Sequence, residues 1–236
     1  MIFKQLFDQE SFTYTYFLAD EESHEAIFID PVVNHVEDYL DLLANYGCKL
    51  KYSLETHVHA DHVTGSGLLR QLTQAQTGVN QECGALCADM QLQHGDVLYF
   101  GNHLIQVIGT PGHTPGSTSY LIGDRLFTGD SLLINGCGRT DFQGGDPGLQ
   151  FDNITGRLFT LPEETLVYPG HDYSGKRVSS IGQERSINPR LAFKSRDEFI
   201  QIMNNLNLPK PKLIDVAVPA NRMCGIPDDI ETLPQG

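Results

Sequence analysis

Apolar and polar positions divide the chain into short segments. Ile2–Phe7, Thr13–Leu18 and Ala26–Ile29 carry β-branched and aromatic residues between acidic and Ser-containing turns, and read as strands. Asp30-Pro31 ends the third, because proline has no N–H to give a ladder. Val36, Tyr39, Leu40 and Leu43 then recur at helical spacing, with Gly47 as a stop. Leu50–Glu55 reads as the next strand and runs straight into THVHADH. Leu68, Leu69 and Leu72 predict a helix after that stretch. Val97–Phe100, Leu104–Gly109, Ser117–Ile122, Arg125–Thr128 and Thr165–Tyr168 predict strands, the first four separated by Gly, Pro and Asn turns. The tail reads as a helix near Asp197–Leu206, the Pro-rich run NLNLPKPK, and a short strand at Ile214–Val218.

Strands thus dominate both halves with helices between them, a pattern that packed layers of an α/β domain accommodate. At 236 residues, 40% of them hydrophobic, the chain is long enough for one sizeable core, and neither a linker nor an internal repeat divides it. No apolar run approaches the roughly 20 residues of a membrane helix. The N-terminus has no basic start followed by an apolar block, and it lacks Arg, so neither a secretory nor a transit signal is expected. The net charge of −14 argues against nucleic acid, and an anionic substrate would need a locally basic pocket. Five cysteines, an odd number without an export signal, make a disulfide framework unexpected and a reducing cytoplasm the simple location. Cys83 and Cys87, in C-x3-C spacing, are read as structural or incidental, and Cys137, between glycines, as a packed thiol.

The chemistry concentrates in His57-Val58-His59-Ala60-Asp61-His62, where three imidazoles and a carboxylate fall within six residues. His57 and His59 point the same way if the strand stays extended. Imidazole and carboxylate together suit zinc, iron or manganese. Three further titratable residues sit next to glycine at or just beyond predicted strands: His113 in TPGHTPG, Asp130 in FTGD and His171 in YPGHD. His24, His35, His94 and His103 lack companions and are read as surface or core residues.

HxHxDH followed by GH, GD and GH resembles the metallo-β-lactamase superfamily signature, here spanning Thr56 to Tyr173. The resemblance implies a single αββα sandwich over residues 1–236, with a short C-terminal extension from about 190 to 236. It places His57, His59, His113 and Asp130 in a first metal site, and Asp61, His62 and His171 in a second that Asp130 bridges. The text between these residues narrows the likeness. ETHVHADHVTGSGLLR, FTGDSLLINGCGRTDFQGG, YPGHDYSG, ERSINPRL and NLNLPKPKLIDVAVPAN are similar to the persulfide dioxygenase branch.

That branch implies one Fe(II) per chain on His57, His113 and Asp130, with positions open for substrate and O2. His59, Asp61, His62 and His171 would then be hydrogen-bonding neighbours, or the ligands of a second metal. The implied reaction takes glutathione persulfide, O2 and water to glutathione and sulfite. Arg139, Tyr173, Lys176 and Arg177 are the candidates for holding glutathione. The rival is a di-zinc hydroxyacylglutathione hydrolase of the glyoxalase II type, which usually carries a longer helical tail. The sequence leaves a homodimer open, through a sheet edge or the Pro-rich tail.

Overall fold

Strands that are apolar on both faces need cover on both sides. The computed structural model, which describes residues 1–226, meets this need with two six-stranded sheets face to face. The first follows chain order: β1 (Ile2–Phe7), β2 (Tyr14–Ala19), β3 (Glu25–Ile29), β4 (Lys49–Leu54), β5 (Gln76–Asn80) and β6 (Met90–Leu92). Its first three strands are antiparallel and the rest run parallel from β3. Helices α1 (Val36–Tyr46) and α2 (Ser66–Thr73) make the crossovers. The second sheet takes β7 (Val97–Phe100), β8 (His103–Gly109), β9 (Thr118–Ile122), β10 (Arg125–Gly129), β11 (Leu166–Pro169) and β12 (Ser179–Ser180) in order from one edge. Only β10 and β11 pair in parallel within it. Helices α3 (Pro147–Asn153), α4 (Ile181–Ile187), α5 (Arg196–Asn204) and α6 (Ile214–Arg222) complete the described chain.

The two-residue period of the strands sorts their side chains between cores. Tyr14, Tyr16 and Leu18 of β2, with Ile27 and Ile29 of β3, meet Ile105, Val107, Tyr120 and Phe127 between the sheets. The alternate residues Phe17, Ala26 and Phe28 pack on Tyr39 and Leu43 of α1 and Leu69 of α2. On the other side, Ile108 and Leu126 pack on Ile181, Phe199 and Met203. The layers are therefore helix, sheet, sheet, helix, as the resemblance implied. The chain segments that follow β3, β4, β8, β10 and β11 carry the polar residues of the site.

Most predicted strands and helices match to within about two residues, the usual uncertainty of element ends. The strand expected at Ile214–Val218 is instead the start of α6. Its β-branched residues read as strand, yet Ala217 and Asn221, four apart, are the buried ones, and Val216 is exposed. The cysteine expectation is also corrected: Cys87 and Cys224, 137 residues apart, form a disulfide with Cα atoms 6.0 Å apart. No local spacing announces such a pair, because only the docking of α6 brings it together. Cys83 and Cys137 are free and buried. The last ten residues of the expected extension, 227–236, lie outside the described residues.

Phe127 is fully buried at the centre of the inter-sheet core. Phe127→Ala is expected to cost about 3–5 kcal/mol of stability in urea unfolding, the cost of emptying a buried aromatic site.

Candidate metal centre

The strand ends bring together side chains that the sequence holds far apart. One ligand atom each from His57, His113 and Asp130 lies within 4.8 Å of the others. His113 Nε2 is 3.7 Å from Asp130 Oδ2. Metal–ligand bonds of about 2.0–2.2 Å put neighbouring ligand atoms roughly 3–3.6 Å apart, so small side-chain adjustments would close this set on one cation.

Hydrogen bonds behind the three residues decide which of their atoms remain free. Thr56 donates its hydroxyl proton to Asp30 Oδ2 at 2.7 Å, so its oxygen is left to accept from His57 Nδ1 at 3.0 Å. His113 Nδ1 donates to the Arg139 carbonyl at 2.6 Å. Both rings therefore carry their lone pair on Nε2. Asp130 Oδ1 pairs with His171 Nδ1 at 2.6 Å, and Oδ2 is the oxygen that faces His113. Burial, reinforced by the neighbouring His59 and His113, holds the His57 ring well below its ordinary pKa and hence neutral. Burial would raise Asp130, but His171, His113 and His57 outweigh it and keep the carboxylate ionised.

Glycine lets these groups approach. Gly129 has a φ of +50°, and a Cβ there would collide with Thr56 Oγ1. At Gly138 a Cβ would stand 2.8 Å from His113 Nδ1 and would collide with the Asp130 carbonyl.

The other predicted ligands form a second, differently built group. His59, Asp61 and His62 also offer ligand atoms within 4.8 Å of one another. His171, however, is held between two carboxylates, with Nε2 2.9 Å from Asp61 Oδ2 and Nδ1 on Asp130. Burial would lower its pKa, but Asp130 and Asp61 drive it well above the ordinary value. Asp61 Oδ2 also meets Thr13 Oγ1 at 2.9 Å and His62 Nδ1 at 2.9 Å. His59 Nε2 lies 3.1 Å from Asp30 Oδ1 and 3.5 Å from Glu55 Oε2. Burial opposes its protonation, yet the Asp30 and Glu55 carboxylates push it up to about 10. His59 Nδ1 and His62 Nε2 are buried without hydrogen-bond partners among the described residues.

The glutathione candidates separate. Arg139 binds Asp141 through Nε and a terminal nitrogen, at 2.6 and 2.7 Å, and donates to the carbonyls of Pro209 and Leu208. Its backbone serves His113 while its side chain ties down the Pro-rich segment. Tyr173 is 71% exposed and stacks on His171, ring centroids 6.1 Å apart, with Phe12 at 5.4 Å. Arg177 is engaged with Gln5, and Lys176 lies beside it on the same loop. His24 and the three other lone histidines stand outside the groups that could hold a metal; His35, for instance, pairs with Asp8 and Asp38.

Sequence reasoning missed Asp30, Thr56, Thr13 and Asn221. Asp30 was legible only as the end of a strand, but it occupies the left-handed region at φ 52°, a strain of order 1–3 kcal/mol that recurs at functional sites. Its two oxygens take the Thr56 N–H and hydroxyl, both at 2.7 Å. Asn221 donates to the His59 and His62 carbonyls at 2.9 and 2.8 Å and accepts from Thr64 N–H at 2.8 Å, fixing the loop from α6.

Comparison with known proteins adds an independent line. Residues 90–171 match the family described as the metallo-beta-lactamase superfamily. The chain is 46% identical over 228 residues to proteins of Mus musculus and Homo sapiens named persulfide dioxygenase ETHE1, mitochondrial, covering 96% of this chain and 89% of theirs. It superposes on the crystal structure of ETHE1 from Myxococcus xanthus with a TM-score of 0.94 and 57% identity, over 96% of this chain and 100% of that one. A hydroxyacylglutathione hydrolase of Gloeobacter violaceus is 35% identical over 169 residues, 68% of this chain and 64% of that protein.

Thr56→Val removes the acceptor that orients His57 and the donor that satisfies Asp30. Metal affinity is expected to fall about 10–100-fold, the usual cost of losing a hydrogen bond behind a ligand, measured by chelator competition.

Proposed function

This chain belongs to the persulfide dioxygenase family, and on that premise we propose that it oxidises glutathione persulfide with O2 at a single Fe(II) on His57, His113 and Asp130. The observation that carries the single-metal reading is the captivity of His171 between Asp130 and Asp61. A second cation using His171 would have to displace a proton and one of these two carboxylate contacts, that of Asp61 if it binds Nε2. When bound, iron supplies the redox chemistry that zinc lacks, and a two-histidine, one-carboxylate set leaves positions open for substrate and oxygen.

The residues themselves bind, orient and shield. Thr56 and the Arg139 carbonyl aim the two imidazoles, and His171 holds the carboxylate so that one oxygen is presented. In the overall reaction the outer sulfur is oxidised, O2 is reduced, and the S–S bond breaks to leave glutathione and sulfite, with water supplying the remaining oxygen. For glutathione we assign Tyr173 as an aromatic wall and Lys176 as a cation at the rim. Arg177 can join them only on leaving Gln5, and Arg139 only on releasing Asp141 or the Leu208 and Pro209 carbonyls. No helix among the described residues is long and apolar enough to cross a membrane. The cytoplasmic location expected from the cysteine count loses that support with the Cys87–Cys224 bond, and the mammalian relatives are named mitochondrial.

A second reading draws on His59 Nδ1 and His62 Nε2, buried nitrogens without hydrogen-bond partners among the described residues, which a second cation could use. It leads to a di-zinc thioesterase. Metal analysis of enzyme purified without chelator separates the two. One iron per chain with oxygen uptake on glutathione persulfide is expected, and two zincs with thioester cleavage would overturn the proposal.

Asp130→Ala is expected to lose its iron while keeping a cooperative unfolding transition. Tyr173→Ala is expected to keep its iron and raise KM for the persulfide about three- to tenfold, the scale of one lost aromatic contact.

A further inference from the structure

A small pocket lies behind the metal-facing side of the site, on the inner flank of His57. Val58, Val79, Ala85, Ala88, Gly78 and Cys224 give it apolar walls. It admits a water-sized sphere over about 20 Å³, and since about 10–15 Å³ is enough for a water, its lining and not its size decides what it holds. Its polar neighbours are largely spoken for. Thr64 and Ser66 donate their hydroxyl protons to Glu55 Oε1. Thr77 donates to Asp89, and the amide of Asn221 is spent on Thr64, His59 and His62. Among the described residues, the lining side-chain atom left buried without a hydrogen-bond partner is Glu55 Oε2, with His59 Nε2 3.5 Å away. A buried water ordinarily makes about three hydrogen bonds, and this pocket offers it little beyond that one acceptor.

We propose that this pocket is a holding site for molecular oxygen, a small apolar diatomic that reaches the centre past His57. The inference rests on the dioxygenase reading and deepens it. An apolar space of this size costs water its hydrogen bonds and costs oxygen nothing, so the pocket selects the gas over the solvent. It also separates the two substrates. The persulfide is assigned to the exposed side, where Tyr173 stacks on His171, and oxygen to the side lined by Asn221 of α6 and Cys224 of the Cys87–Cys224 bond.

Xenon is the probe, because it occupies dry apolar cavities without any chemistry. Crystals of the iron-loaded enzyme under xenon pressure are expected to show xenon against Val58, Val79 and Ala85. Ala85→Val fills the space from a buried position, and Ala88→Val does so from a half-buried one that disturbs packing less. Both variants are expected to lose the xenon and to raise KM for oxygen several-fold, with iron content and KM for the persulfide unchanged. An ordered water that xenon fails to displace would overturn the proposal, as would an oxygen KM unmoved in an iron-loaded, folded variant. Absence of oxygen uptake by the parent enzyme would sink the dioxygenase reading and this inference with it. Uptake with an unshifted KM for oxygen sinks this inference alone.

Discussion

A carboxylate or imidazolium removed from water is tolerated only where opposite charge and hydrogen bonds replace the solvent. One end of this sandwich buries His57, His59, His62, His171, Asp30 and Glu55 at once. Each has to be answered by another, and the answers fix the site. Asp30 meets Thr56 and His59, His171 meets Asp130 and Asp61, and the Arg139 carbonyl meets His113. What is left after this mutual satisfaction is a small set of lone pairs turned towards one another. That residue of unmet bonding is the set of atoms that could hold a metal. The same bonds that make burial tolerable also choose the orientation of these groups, with the backbone at Asp30 held in the left-handed region to make them.

The same constraint explains the C-terminal segment. The loop from His57 to His62 has backbone carbonyls, those of His59 and His62, that take no strand N–H, and an unmet buried carbonyl costs about as much as a lost hydrogen bond. Asn221 supplies the missing donors, and it rides on α6, more than 150 residues later in the chain. The Cys87–Cys224 bond and the Arg139 contacts to Leu208 and Pro209 anchor this tail on either side. Tail and histidine loop are thus one unit mechanically, although among the described residues the tail adds nothing to the groups that could hold a metal.

Family membership and geometry carry different parts of the argument. Similarity to proteins named persulfide dioxygenases shows what kind of enzyme the chain is, and the shared fold alone would not, since the superfamily hosts several chemistries. Geometry bears on how many cations the site takes and which side chains remain for the substrate. Arg139 illustrates the difference: by position it invites a carboxylate, but its fork is already closed on Asp141.

Most of the fold was legible because alternation within strands and spacing within helices are local properties, as in Tyr14–Ala19 and Val36–Tyr46. The candidate ligands were legible too, since the clustered histidines of His57–His62 and the glycine-flanked His113, Asp130 and His171 announce themselves without neighbours, and the structure brings His57, His113 and Asp130 together. Ile214–Val218 misled because propensity reports a residue's preference, whereas burial of Ala217 and Asn221 depends on what α6 docks against. The bond between Cys87 and Cys224, the pairing of Asp30 with Thr56 and the clamp on His171 were invisible for a common reason. Each joins groups distant in the chain, and its energy exists only once water has been excluded around both. The sequence by itself determined which atoms are available to bind a metal; the tertiary structure decided which of them stay free to do so.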